Sequence, residues 1–282
     1  MGYPHRADFF VDPARPLRYA KGMQITSAGN EKIKHARRVR EGQVADQIFI
    51  EGLRLAEEAL RSGLTIEVCF ADEQNQDPRS LDLRQALTQK QVPIMLTTAA
   101  VIRTLSDTVQ SQGIILLARR PVRDAAGLLH TPGSLLLALD RLQDPGNLGT
   151  LMRTAEAAGV SGLITLPGCA DPFSPKVLRS SMGSAFRLPL LTEATAQDLN
   201  DLRQNHGFQI VAAAGEGETD YCYYDWRQKT LLLLGNEGRG VSPELMRQCD
   251  VRLRIPMHAG VESLNVAAAG AVMLFEAARQ RR

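Results

Sequence analysis

Cysteine is scarce: Cys69, Cys169, Cys222 and Cys249 are the only four in 282 residues, far apart and without a CxxC pair. That spacing indicates neither a zinc cluster nor a disulfide framework, and it fits a reducing compartment. Long apolar runs are missing too. No stretch approaches the ~18 apolar residues of a membrane span. Residues 1–20, interrupted by Pro4, Asp8, Asp12, Pro13 and Pro16, hold no signal-peptide core. The expectation is a soluble, cytoplasmic protein with no membrane partner. Histidine is limited to His5, His35, His130, His206 and His258, scattered singly, so none is assigned a catalytic or metal-binding role. The phosphate loop GxxxxGK(S/T), the metal helix HExxH and the nucleophile elbow GxSxG are all absent. No metal is expected.

Net charge is small as well, +2, but unevenly spread. Residues 1–41 carry nine Lys and Arg against four acids, a segment of +5 on a remainder of −3. A basic arm on a nearly neutral body suits a polyanionic partner, and a basic solvated helix face is the bland alternative.

What is present is apolar content, 44%, enough for two domains in a chain of this length. Between residues 42 and 120, short apolar runs such as IFIEG and GIILLARR alternate with helical periodicity as in LRLAEEALRSG, predicting a small α/β domain. Residues 121–133, PVRDAAGLLHTPG, lack a period and are bounded by turn formers, as a linker would be. From 134 to 282 a second series follows: SLLLALD, GLITLP, LPLL, QIVAAAG, TLLLLG and VRLRIP, separated by helical segments. Continuous apolar strands between helices predict a parallel sheet covered on both faces. Ligands of such sheets bind beyond the carboxyl ends of the strands.

Three loops stand at such ends. The first, after SLLLAL, offers Asn147, Gly149 and Arg153 around a helix expected from about Leu148; Asn147 can cap it, and Arg153 alone is an ordinary exposed arginine. The second, GNEGRG, holds Glu237 among Gly235, Gly238 and Gly240, a turn that lets a flat ligand lie against backbone. Its glycines do not match GxGxxG. The third, IPMHAGVESLN, exposes Ile255 and Met257 at a strand end and places Ser263 and Asn265 before a helix expected from Ser263. That closing helix is rich in alanine and glycine, which permits close packing or a subunit interface.

Taken in order, N147-x-G-x-x-x-R153, L-x-G235-x-E237-x-x-G and I255-P-M-x-x-x-x-x-S263-L-N265 resemble the three motifs of the SpoU (TrmH-type) RNA ribose 2′-O-methyltransferases. The likeness spans residues 134–282 and includes SPKVLRSSMGSAFRLPL; the segments ITSAGNEKIKHARRVREG and FIEGLRLAEEAL resemble the substrate-binding domain of members acting on large-subunit ribosomal RNA. The resemblance implies an α/β fold whose parallel-sheet domain ends in a deep trefoil knot, one of the rare exceptions to unknotted chains. It implies S-adenosylmethionine as cofactor, held by Gly235, Ile255, Met257 and Leu264, and a homodimer whose active site draws on both subunits. Arg153, Asn147, Glu237, Ser263 and Asn265 would form the catalytic set, with Glu237 holding Arg153 or a polar loop. The implied reaction is methylation of a ribose 2′ oxygen, 23S ribosomal RNA being favoured over transfer RNA. Lys32, Lys34, Arg37, Arg38 and Arg40 would contact RNA phosphates. A noncatalytic RNA-binding or assembly protein on the same fold is the rival reading, and a nicotinamide-dependent oxidoreductase is a distant third. Tyr221, Tyr223, Tyr224 and Trp226 suit interface packing more than base stacking.

Overall fold

The structure is a computed structural model and describes residues 24–108, 111–121, 128, 134–258 and 260–282. Most of the 121–133 linker and the first half of the basic arm lie outside these residues.

The first unit contains β1 (Gln24–Ile25), α1 (Glu31–Arg40), β2 (Gln47–Glu51), α2 (Leu53–Arg61), β3 (Ile66–Asp72), α3 (Pro78–Gln89), β4 (Ile94–Thr97), α4 (Ala99–Leu105) and β5 (Ile114–Arg119). Its five strands lie in the order β1-β4-β3-β5-β2. β4 runs parallel to β1 and β3, while β5 is antiparallel to β3 and β2. Residues 24–41, expected as an arm, are built into this unit. Asn30 caps α1 by accepting from the Lys32 N–H, and Ile33, Ala36 and Val39 sink into a cluster with Phe49, Phe70 and Leu117. Three buried residues at i, i+3 and i+6 make α1 amphipathic, leaving its basic side chains outward.

The second unit is larger. It comprises β6 (Leu135–Leu139), α5 (Pro145–Ala157), β7 (Gly162–Thr165), α6 (Pro175–Ser181), α7 (Ser184–Arg187), β8 (Leu190–Leu191), α8 (Ala196–His206), β9 (Gln209–Ala213), β10 (Thr219–Asp220), β11 (Thr230–Leu234), α9 (Pro243–Met246), β12 (Val251–Arg254) and α10 (Val266–Gln280). Its seven strands are all parallel, in the order β10-β12-β9-β11-β6-β7-β8. The four-leucine run of β11 is explained by its central place. Leu232 and Leu234 join the cluster beneath α5 and α10, whereas Leu231 and Leu233 join the one beneath α8. A strand buried on both faces needs no polar alternation, and each leucine so buried stabilises by roughly 1.5–3 kcal/mol.

Helix starts differ from the sequence reading. α5 begins at Pro145, because Asp144 is the N-cap and its Oδ1 accepts from the Asn147 N–H at 2.7 Å. An acid followed by proline at the first helical position is a strong start signal. α10 begins after Asn265, which accepts from the Ala267 and Ala268 N–H groups; Ser263 lies before the helix. The helix expected over 176–184 breaks at Met182 (φ 52°) and Gly183 (φ 88°). A Cβ at Gly183 would stand 2.8 Å from Glu58 Cβ of the first unit, so the chain must turn there without a side chain. β10 is an additional two-residue strand. The two units touch through Arg187 and Glu58 at 2.6 Å and through Arg120 and Asp171 at 2.6 Å.

Candidate active site

Because every strand of the second sheet runs the same way, the loops after β6, β9, β11 and β12 emerge on one edge. Two part-buried contacts stitch them. Asp140, at the end of β6, is 3% exposed and accepts from the Ser242 N–H at 2.7 Å, while Asn236 Nδ2 donates to the Arg141 carbonyl at 2.9 Å. Each is an obligatory backbone group satisfied by a side chain from another loop.

Between these loops lies a cavity of about 290 Å³, and Gly235, Glu237, Ile255, Met257, Ser263 and Leu264 are among its walls. All four residues predicted to bind cofactor are therefore gathered in one place. Gly235 is required for a reason the sequence did not suggest. A Cβ there would lie 2.1 Å from Gly240 C and Val241 N, because the turn closes on itself through paired Asn236 and Gly240 backbone bonds. The glycine serves the turn first and any ligand second.

At the cavity mouth three polar side chains form a chain. Glu237 Oε1 accepts from the Asp144 N–H and from Asn147 Nδ2, both at 3.2 Å. Asn147 Oδ1 accepts from Asn265 Nδ2 at 3.0 Å, and Asn265 Oδ1 closes the chain by capping α10. Residues 90 and 118 positions apart are thus joined in one relay. Its polarity is set at both ends. The helix N–H groups demand an oxygen from Asn265, which leaves the Asn265 amide nitrogen to donate, and the carboxylate then receives the Asn147 amide. Glu237 meets donors only, so it acts here as an acceptor. Asn147 does not cap α5; Asp144 does, which frees the Asn147 amide for the relay.

The comparisons with known proteins follow the same residues. Residues 134–275 match the SpoU rRNA Methylase family, and residues 49–122 match the RNA 2′-O ribose methyltransferase substrate binding domain. The chain belongs to the SpoU family. An uncharacterized tRNA/rRNA methyltransferase of Synechocystis is 35% identical over 91% of this chain and 94% of its own length. The 23S rRNA (guanosine(2553)-2′-O)-methyltransferase RlmP of Bacillus subtilis is 32% identical over 89% and 98%. A crystal structure of an AdoMet-bound rRNA methyltransferase from Sinorhizobium meliloti superposes with a TM-score of 0.81 at 32% identity, covering 91% of this chain and 97% of that one.

Not every predicted residue of this SpoU chain reaches the cavity. Arg153 is exposed on α5 and has no hydrogen bond or ion pair among the described residues, so Glu237 does not hold it. Six residues along a helix place it about 9 Å beyond Asn147 and on a different face. Lys32, Lys34, Arg37, Arg38 and Arg40 all lie on α1 in the other unit. Lys34 pairs with Glu31 at 2.7 Å, and Arg40 with Asp107 at 3.3 Å. Of the aromatic group, Tyr224 and Trp226 are core, packed edge to face at 5.0 Å, whereas Tyr223 is 82% exposed. Asp140, Asp144 and Asn236 were missed by sequence reasoning. Asp144 carried a signal in its Asp-Pro pair; the other two act across long separations and carried none. Among the described residues no helix is long and apolar enough to cross a membrane, and no group of three or more His, Cys, Asp or Glu could hold a metal.

Proposed function

We infer that this SpoU protein transfers a methyl group from S-adenosylmethionine to a ribose 2′-hydroxyl of RNA, with 23S ribosomal RNA as the substrate. The relay from Glu237 through Asn147 to Asn265, closing the mouth of a glycine and apolar cavity at the sheet edge, carries this reading. A volume of about 290 Å³ sits at the small end of ligand sites, roughly 300–1,000 Å³. That suits a compact adenosyl ligand better than an extended dinucleotide. Gly235, Ile255, Met257 and Leu264 would hold it through backbone and apolar contact, and Met257 and Leu264 are already partly exposed to receive it. Bound there, the donor supplies a methyl group activated by its sulfonium.

The protein's own part is positioning and charge. Asn147, locked between Glu237 and Asn265, orients the ribose, and Ser263 offers a hydroxyl from the cavity wall. Arg153 grips the phosphate beside the target ribose and stabilises the developing alkoxide. A guanidinium has a pKa above ~12 and does not serve as the base, so the proton leaves through that phosphate or a water. Arg153 faces away from its own cavity, which supports a homodimer in which it completes the partner's site. α10 supplies a fitting surface, with Val272 and Phe275 exposed one turn apart. Inside the subunit the same helix packs tightly, a Cβ at Gly270 falling 2.5 Å from Leu151 and 2.8 Å from Leu234.

We further propose that the C-terminal segment is threaded as a trefoil knot: β12 is inserted beside β9, and the chain then carries α10 back onto α5. The catalytic domain spans residues 134–282, and the RNA-binding unit spans residues 24–120, taking in α1 with Arg37 and Arg38. The test is transfer of labelled methyl from S-adenosylmethionine to 23S ribosomal RNA, followed by mapping of the protected ribose. Calorimetry showing no binding of S-adenosylmethionine would overturn the reading in favour of a noncatalytic RNA-binding protein.

A further inference from the structure

A second cleft, of about 280 Å³, opens between the two units and plays no part in the reading above. Its lining combines the apolar Leu55 of α2 and Met182 with the basic Arg54 and Arg179 and the acidic Glu51 and Glu58, and Glu58 is already paired with Arg61 and Arg187. Glu51 is 5% exposed, and its carboxylate is occupied inward by the Ser106 hydroxyl, by Thr108 Oγ1 at 2.8 Å and by the Asp107 N–H at 3.2 Å. Arg179 forms an ion pair with this carboxylate. Glu51 Oε2 is 3.5 Å from Arg179 Nη1, and that buried nitrogen has no hydrogen-bond partner among the described residues. Arg54 is exposed with no partner among the described residues. Met182, a non-glycine residue in left-handed backbone, lines the same cleft as Leu55.

The position matters as much as the lining. On one side, Arg40 of the basic helix donates to the Leu105 carbonyl at 3.0 Å, so α1 abuts the loop whose Thr108 lines the cleft. On the other, Ser180, next to Arg179, donates to the Pro145 carbonyl at 3.1 Å, two residues before Asn147. The cleft therefore lies on the way from the basic helix to the relay. Apolar lining suits the face of a base, and the exposed Arg54 guanidinium beside Arg179 suits a phosphate. We propose that this cleft binds a nucleotide of the RNA strand other than the one methylated, its base against Leu55 and Met182 and its phosphate on Arg54 and Arg179. The proposal rests on the RNA methyl-transfer reading.

The test is binding of transcribed 23S ribosomal RNA fragments by fluorescence anisotropy over a salt series, with S-adenosylmethionine affinity measured in parallel. Loss of one phosphate contact to a single strand lowers the slope of log K against log salt by about 0.7. Arg54→Ala should show that fall while Arg54→Lys keeps the wild-type slope. Met182→Ala should weaken binding with the slope unchanged. Cofactor affinity should not move in any of the three. An unchanged slope and affinity in Arg54→Ala, when Arg37→Ala shifts both, would overturn the cleft while leaving RNA binding to α1 intact. Parallel loss of cofactor affinity would overturn it too, as a global defect. Wild-type protein that binds no RNA overturns this inference together with the reading beneath it.

Discussion

Asn265 has two separable duties, and two substitutions pull them apart. Its Oδ1 caps α10, accepting from Ala267 N at 2.9 Å and Ala268 N at 3.3 Å, while its Nδ2 donates to Asn147 Oδ1 at 3.0 Å. Asn265→Ala removes both. Loss of a cap costs about 1 kcal/mol, and loss of the side-chain bond about 1 kcal/mol more. For a chain of this size the sum of about 2 kcal/mol corresponds to a fall of roughly 4–8 °C in Tm. Asn265→Asp keeps the cap and adds a negative charge at a helix N-terminus, favourable by roughly 0.3–1 kcal/mol. It cannot donate to Asn147, however, and sets a second carboxylate to compete with Glu237 for one amide. Its Tm should lie within about 2 °C of wild type, the gain at the helix start offsetting the lost bond. Turnover should nevertheless fall in both variants by about tenfold or more, since ~1.4 kcal/mol of misplacement in the transition state suffices. Calorimetric melting and single-turnover methyl transfer measure the two effects separately. If Asn265→Asp retains full turnover while Asn265→Ala loses it, the asparagine works only through the helix start and the relay has no catalytic meaning.

Four further outcomes follow from the geometry. Gly235→Ala places a Cβ 2.1 Å from Gly240 C and Val241 N, so S-adenosylmethionine affinity should drop at least about tenfold and stability by about 1–3 kcal/mol; unchanged calorimetric affinity would show that the turn can yield. Arg153 touches none of the cavity of its own subunit, so Arg153→Lys should leave cofactor affinity intact and lower turnover by about 100-fold. Mixing Arg153→Ala with Glu237→Ala subunits should restore activity through one complete site per hybrid dimer; no recovery would refute the shared site. The Glu276 carboxyl is held down to about 2, first by its bond to Arg279 and then by Gln280. A folded pKa below the unfolded value of 4.5 stabilises above that value and is lost as pH falls toward 2. Glu276→Gln should therefore narrow the Tm difference between neutral pH and about pH 3.

The second sheet was legible because its strands are central. Burial on both faces turns β6 and β11 into unbroken apolar runs, and their ends point to the loops without further information. Motif spacing likewise located Gly235, Glu237, Ile255 and Asn265. Local capping chemistry was legible in principle, since Asp144 and Pro145 announce the α5 start, and taking Asn147 as the cap concealed its part in the relay. The basic character of α1 was plain; its burial through Ile33, Ala36 and Val39 depended on partners such as Phe49 and Phe70, which the local pattern does not name. The cleft at Arg54 and Arg179 gave no local signal at all, being formed by residues 125 positions apart on different units.

That contrast explains why the relay, rather than any motif residue alone, bears the functional weight. Glu237, Asn147 and Asn265 taken singly are a turn acid, a first-turn amide and a helix cap, each ordinary on its own strand end. A parallel sheet brings those ends to one edge, and the α10 cap fixes which atom of Asn265 remains to donate. From that single constraint the orientation of Asn147 follows, and with it the need for an acceptor at Glu237. A substituent that alters the helix start is then transmitted across 118 residues of sequence to the cavity mouth through two hydrogen bonds. Arg153 lies outside this rigid set, on an exposed helix face, which is where a group must be to reach substrate held by another subunit. The proposed site thus divides into a preorganised half inside each chain and a charged half presented outward. On the proposed shared site methyl transfer requires both, so dissociation of a dimer should abolish turnover while leaving cofactor binding in place.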